Sequence, residues 1–180
     1  YEEEIIKWYI NYKYWENSNY NYLNGIKMEF IIFLNKLDKD IFELIKKANY
    51  SIEENSALCL IDKKYIGFHK KREKTIVICT ENAKKITNFT NKLTSNYKDN
   101  HKTKLYIRRA LRHEATHMVQ SCNGDKIIGD INEIKKKINK NKEKAIQSSV
   151  RISGNLEKEL EAYMMEDKPR KVKKAIIKYC

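Results

Sequence analysis

The chain has one proline and five glycines in 180 residues. It carries no Pro- or Ser-rich linker and no internal repeat. A single domain over 1–180, with a helical N-terminal part over 1–50, is therefore the simplest division. Long hydrophobic runs are missing too. Phe30 to Leu34 and Ala57 to Ile61 are the longest, far below the ~20 apolar residues of a membrane helix, so no transmembrane segment is expected. The four cysteines (Cys59, Cys79, Cys122 and Cys180) are widely spaced and form no CxxC pair. That argues against a zinc ribbon and against a dense disulfide scaffold. It predicts buried or free thiols in a reducing compartment, with the cytoplasm favoured. The first residue is Tyr rather than Met, which leaves a leader or anchor ahead of it open.

Positive charge is abundant: 37 Lys and Arg against 24 Asp and Glu give a net charge of +13. Such a balance suits nucleic acid or an anionic membrane surface. The lysines, however, are spread along the chain, and there is no RNP, zinc-finger or Arg-rich motif. A solvated basic surface is favoured over a dedicated nucleic-acid site. The 41% hydrophobic fraction and 11% aromatics are enough for a folded core.

Apolar spacing predicts helix at Ile5, Ile6, Tyr9 and Ile10, and again from Met28 through Ile31, Ile32, Leu34, Ile41 and Leu44, with a polar turn over Asn17 to Gly25 between them. Ala57 to Ile61, Tyr65 to His69 and Thr75 to Cys79 read as three short strands separated by charged turns. Helical spacing returns over Ala83 to Leu93 and, more strongly, over Lys104 to Ser121, with Asn123 and Gly124 as its stop. Asp130 is a suitable N-cap for a helix carrying Ile131, Ile134 and Ile138. A last helical pattern begins near Asn155, where Leu156, Leu160 and Met164 are placed to face the core. The expected fold class is α+β, mostly helical, with a small antiparallel sheet ahead of the Lys104–Ser121 helix.

That helix contains His113-Glu114-Ala115-Thr116-His117, an HExxH pattern. Histidines at i and i+4 leave one helix face about a turn apart and can share one metal ion. Zinc held by such ligands, with one position open, acidifies bound water, and Glu114 beside the first ligand is placed to act as general base. With 4 His and 17 Glu among 180 positions, coincidence would produce the pattern in about one such chain in a hundred. Ile107, Leu111, Ala115, Met118 and Cys122 form an apolar stripe, while His113 and His117 lie on another face with Ala110 and Tyr106.

A third ligand has to come from elsewhere. The remaining histidines, His69 and His101, lie upstream, and Gln120 and Asn123 stand where an HExxHxxGxxH extension would have Gly and His. The acidic segment Glu157-Lys158-Glu159-Leu160-Glu161-Ala162 is the better source. Here the chain resembles the gluzincin peptidases, in which a later helix donates a Glu, often as ExxA. That resemblance implies Glu159 as the ligand, with Glu161 and Glu157 as alternatives. Ile78, Cys79 and Asn82, then the HExxH helix, then Cys122 five residues past His117, are similar to the mitochondrial ATP-synthase-assembly peptidases and related zincins, over roughly residues 59 to 122. Gln120 departs from that family, which has Asp three residues past the second His. The resemblance implies a zincin-like fold, a Zn2+ cofactor, hydrolysis of a peptide or protein substrate, and an edge strand that binds extended substrate, for which Thr75 to Cys79 is the candidate. A zincin-like protein that binds metal or a partner without turnover, and a basic nucleic-acid-binding protein, are the competing readings.

Overall fold

The computed structural model of the chain describes residues 22–23, 26–87, 100–138 and 142–180. The helix face at Ile5, Ile6, Tyr9 and Ile10 lies outside them, as does most of Asn17 to Gly25. Tyr22–Leu23 (β1) pairs antiparallel with Ile26–Lys27 (β2). The apolar spacing from Met28 to Leu44 is broken rather than continuous. Glu29–Phe33 makes a 3-10 turn whose Glu29 and Phe30 N–H groups donate to the Glu54 carboxylate at 2.5 and 2.7 Å. Asn35 then starts helix α1 (Lys36–Lys47), its side chain accepting from Asp38 N.

Three strands form the main sheet: β3 (Ser51–Glu54), β4 (Gly67–Lys70) and β5 (Thr75–Ile78), in the order β3-β5-β4. β5 runs parallel to β3 and antiparallel to β4, so the sheet is mixed and not antiparallel as expected. Two strand assignments change with it. Ala57–Leu60 is a 3-10 turn that buries Cys59 against Val77 and Cys79 but leaves Leu60 and Ile61 80% and 73% exposed. Ile76, Val77 and Ile78 are wholly buried because β5 has a partner on each edge; the edges of the sheet are therefore β3 and β4 and not Thr75 to Cys79. Ser51–Glu54 had no sequence signal as a strand. Its charged residues suit an edge position.

Helix α2 (Thr80–Ile86) is described as far as Thr87, and the remainder of the expected Ala83–Leu93 helix lies outside the described residues. Helix α3 (His101–Cys122) is about 33 Å long at 1.5 Å per residue. Ile107, Leu111, Ala115 and Met118 of its expected stripe are wholly buried, whereas Cys122, the fifth, is exposed at the helix end, where it is bridged to Cys180. Gly124 and Asp125, both at positive φ, turn the chain away after it. Asp130 caps α4 (Ile131–Lys137) by accepting from Asn132 N and Glu133 N. Helices α5 (Glu143–Ser153), α6 (Leu156–Met165) and α7 (Pro169–Tyr179) follow. Leu160 is buried at the α6 interface, whereas Leu156 is half exposed rather than core-facing. α3 is the central element, with α1, α6, α7 and the β4–β5 side of the sheet packed on it. This is an α+β arrangement.

All four cysteines are paired, Cys59 with Cys79 and Cys122 with Cys180, so the expectation of free thiols is overturned. The partners are 20 and 58 residues apart, separations that carry no sequence signal of pairing. Cys122–Cys180 ties the end of α3 to the end of α7. A buried ion pair ties α3 to α1: Arg112 Nε and Nη2 donate to the Asp38 carboxylate at 2.6 and 2.8 Å, and Nη1 donates to Glu166 O at 3.0 Å. Asp38 and Arg112 are both buried.

Removing one partner leaves the other charge buried without compensation. Asp38→Ala should cost about 3–5 kcal/mol in urea unfolding, and Asp38→Leu with Arg112→Met should recover most of that loss; an equal loss in both would show that burial volume, not charge, is what matters. Thiol titration of the denatured, unreduced protein should find no free thiol, and after reduction all four.

Candidate metal centre

Two stripes at i, i+4 and i+7 face one another across the α3–α6 seam: His113, His117 and Gln120 on α3, and Glu159, Tyr163 and Glu166 from α6 and its C-cap. The second stripe is set by Asn155, which caps α6 by accepting from Lys158 N and so fixes where Glu159 falls in the first turn. His113 Nε2 and His117 Nε2 are 3.2 Å apart. Each stands 3.3 Å from a different oxygen of the Glu159 carboxylate. Ligands about 2.0–2.1 Å from one tetrahedral centre stand roughly 3.3–3.4 Å apart, so the three donors are spaced as one face of such a site. Glu159 is 2% exposed, and its Oε2 has no hydrogen-bond partner. A buried carboxylate oxygen with an open valence, facing two imidazole nitrogens, is a donor set that could hold a metal ion.

The groups around the triad hold it in place. His117 Nδ1 and Gln120 Oε1 are 2.9 Å apart; with the ring donating, Nε2 is left with a free lone pair toward Glu159. Gln120 Nε2 in turn donates to Glu161 Oε2 at 2.9 Å and to Lys158 O at 3.1 Å. Tyr163 packs edge-on against the His113 ring, at 4.6 Å between centroids, and its hydroxyl is 2.9 Å from Ser149 Oγ. Of the two alternative ligands, Glu161 is engaged elsewhere, accepting from Ile128 N and Gly129 N as well as Gln120. Glu157 is exposed on the outer face of α6.

Glu114 is buried, yet its carboxylate makes no hydrogen bond among the described residues. It lies against Gly67 of β4, where an added Cβ would meet its Cγ and Oε1 at 2.8 Å. The sequence reading did not single out Gly67. The signal for it is indirect: only a residue without Cβ lets the edge strand come this close to the HExxH glutamate. His69 was noted only as an upstream histidine. It sits on β4 with its ring stacked between Tyr50, at 5.8 Å, and His117, at 6.3 Å. His101 is remote from the seam, at the start of α3. A cleft of about 310 Å³ opens over the triad, lined on one side by Tyr65, Gly67, Phe68 and His69 and on the other by Ser149, Ile152 and Lys158.

The electrostatics follow from burial and pairing. Burial disfavours a charge on His113, but the Glu159 and Glu166 carboxylates outweigh it and raise the imidazole to about 10. Burial would raise Glu159, but His113 and His117 hold it well below the usual carboxylate range. Glu114 is raised by burial, against the opposing pull of the two histidines. His69 is pushed down to about 4 by burial and by the neighbouring His117, so it is neutral at pH 7.

A ligating imidazole must be neutral, whereas His113, at about 10, carries a proton at pH 7 in the metal-free chain. Each zinc bound should therefore release at least about one proton, read by calorimetric titration in buffers of different ionisation enthalpy. Stoichiometric zinc uptake by a His113→Ala, His117→Ala variant would put the metal somewhere else.

No curated protein and no solved structure matches this chain. One protein family does, over residues 30–180, a span that holds the triad, Glu114, the main sheet and both disulfides. The chain belongs to that family, described as a domain of unknown function (DUF8637).

Proposed function

We propose that the chain is a zinc-dependent peptidase of zincin type, in which His113, His117 and Glu159 hold the metal and Glu114 is the general base. The observation that carries this reading is the pairing of two unlike carboxylates on one HExxH seam. Glu159 meets both imidazoles at 3.3 Å, and Glu114, next to His113 in sequence, meets neither, its carboxylate making no hydrogen bond among the described residues. Zinc in such a set would supply a Lewis acid and bring the pKa of a bound water to about 7.

The chain's own groups supply the rest. Glu114, its proton affinity raised by burial, takes a proton from the attacking water and passes it to the leaving amine. Gln120 keeps the His117 ring in one orientation, and Tyr163 does the same for His113 by packing. Among the described residues the outer edge of β4 has no strand partner, and it borders the cleft, so an extended peptide could pair with it and lay a carbonyl over the triad. The substrate edge is thus assigned to Gly67–Lys70 and not to the central strand β5.

Assays with zinc-loaded protein on an unfolded polypeptide test the reading. Glu114→Gln should keep stoichiometric zinc and lose about 10²–10⁴-fold in hydrolysis. Gly67→Ala should also keep zinc and lose hydrolysis, because its Cβ displaces the Glu114 carboxylate. Wild-type protein that binds zinc and cleaves nothing, or a Glu114→Gln variant as active as wild type, would leave a metal-binding protein without this mechanism.

A further inference from the structure

Leu60–Lys64 forms a loop that projects beside the site and takes no part in it. Its two ends are held at one point. Asn82 Nδ2 donates both to Cys59 O and to Tyr65 O, each at 2.9 Å, and Cys59 is bridged to Cys79 at the end of β5. Asn82 and both cysteines are buried, so this clamp belongs to the core. A loop braced at its base in this way keeps its shape, and that shape places Leu60 and Ile61 outside. They are the two most exposed large hydrophobic residues among those described. Single exposed apolar side chains are ordinary; two in succession at the tip of a clamped turn are not. Lys63 and Lys64 follow after Asp62, both exposed and making no ion pair among the described residues, and Asp62 accepts from Lys64 N to form the turn between the apolar and basic pairs.

We propose that Leu60–Lys64 is a docking loop for an anionic lipid bilayer: Leu60 and Ile61 enter the interfacial layer, and Lys63 and Lys64 meet the headgroups. Charge decides between the possible occupants. A net charge of +13 opposes pairing of the tip with a second copy of the chain and attracts an anionic surface. An exposed apolar pair and an exposed basic pair within five residues supply together the two contacts that such a surface takes, apolar burial and attraction to its headgroups. Two apolar side chains alone hold a bilayer weakly, so the basic pair is a required part of the device. Tyr65, at the clamped end of the loop, also lines the cleft over the triad, so docking sets the cleft mouth beside the membrane surface. The proposal does not depend on hydrolysis.

The test is co-sedimentation of the full chain with vesicles of phosphatidylcholine alone and with roughly 30% phosphatidylglycerol, at near-physiological salt. Wild type should partition to the anionic vesicles only. Leu60→Ser with Ile61→Ser should lower that partitioning about ten-fold or more while leaving the circular dichroism spectrum unchanged, since both side chains are exposed. Lys63→Glu with Lys64→Glu should lower it comparably. Lys171→Glu with Lys174→Glu, an identical charge change on the exposed side of α7, should cost much less. The proposal is overturned if wild type ignores anionic vesicles, if the serine variant binds as wild type does, or if the two glutamate variants lose equally. It is also overturned if analytical ultracentrifugation finds a wild-type dimer that the serine variant abolishes, which would make the tip an interface between copies.

Discussion

The Glu159 carboxylate, buried between two imidazoles, is the constraint around which the rest of the structure is arranged. A carboxylate 2% exposed is tolerable only with compensating positive charge or a full set of donors. The neighbouring buried acids show how this chain ordinarily meets that demand. Glu161 is surrounded by donated N–H groups. Glu166 takes Lys142 Nζ at 2.6 Å, and Asp38 takes a bidentate arginine. Glu159 and Glu114 are treated differently. One has two histidines and an oxygen with no partner, and the other's carboxylate has no hydrogen bond among the described residues. In a fold that satisfies its other buried acids carefully, the open valence on Glu159 sets it apart, and Glu114 differs again by lining the cleft.

Holding that seam closed falls to elements distant from it in sequence. α6 would be free to slide along α3 if it rested on apolar contacts alone. Polar ties limit it instead: Arg112 reaches Glu166 O at the end of α6 and Asp38 on α1, and Gln120 reaches Lys158 O near its start. The Cys122–Cys180 bridge then fixes α7 to the end of the same helix, closing a loop of 58 residues. In a chain-entropy account, a closure of that length removes about 4 kcal/mol of freedom from the unfolded state.

The sequence was most legible where one helix carries its own signal. HExxH on its helix, the apolar stripe beside it as far as Met118, the Asn123–Gly124 stop, the Asp130 cap and the helix start near Asn155 depend on residues within a turn or two of one another, and the structure places each as read; Cys122, the last residue of the expected stripe, is exposed instead. What depended on distant partners was not legible. The paired cysteines looked like free thiols because spacing along the chain says nothing about distance in space. Ala57–Ile61 looked like a strand because apolar content was taken as burial, when only Cys59 of the run is buried and Leu60 and Ile61 are exposed. Thr75–Cys79 was read as an edge because the strand Ser51–Glu54, mostly polar and pairing in parallel, gave no pattern to reveal it as the second neighbour. Glu159 and Glu161 could not be separated by sequence for a geometric reason. Residues two apart lie about 200° apart around a helix, so only the packing of α6 against α3 decides which carboxylate meets the histidines.

That choice is linked to the departure at Gln120, where the resembled peptidases have an Asp. Here the residue must do two opposite things: accept from the His117 ring, at 2.9 Å, and donate to Glu161, also at 2.9 Å. An amide has both an oxygen and an NH2 group and can do both at once, whereas an aspartate can only accept. Gln120 and Glu161 are each 1% exposed, so an Asp in that place would set two carboxylates side by side out of water. One of them would have to take a proton or move. Moving Glu161 would release Ile128 N and Gly129 N, which it holds at 2.9 and 2.7 Å. The departure at position 120 and the second acid of the Glu-Leu-Glu segment therefore form one arrangement. It orients the His117 ring through a neutral amide, and it keeps Glu161 engaged behind the seam, so that of the two acids in that segment Glu159 is the one that meets the histidine Nε2 atoms.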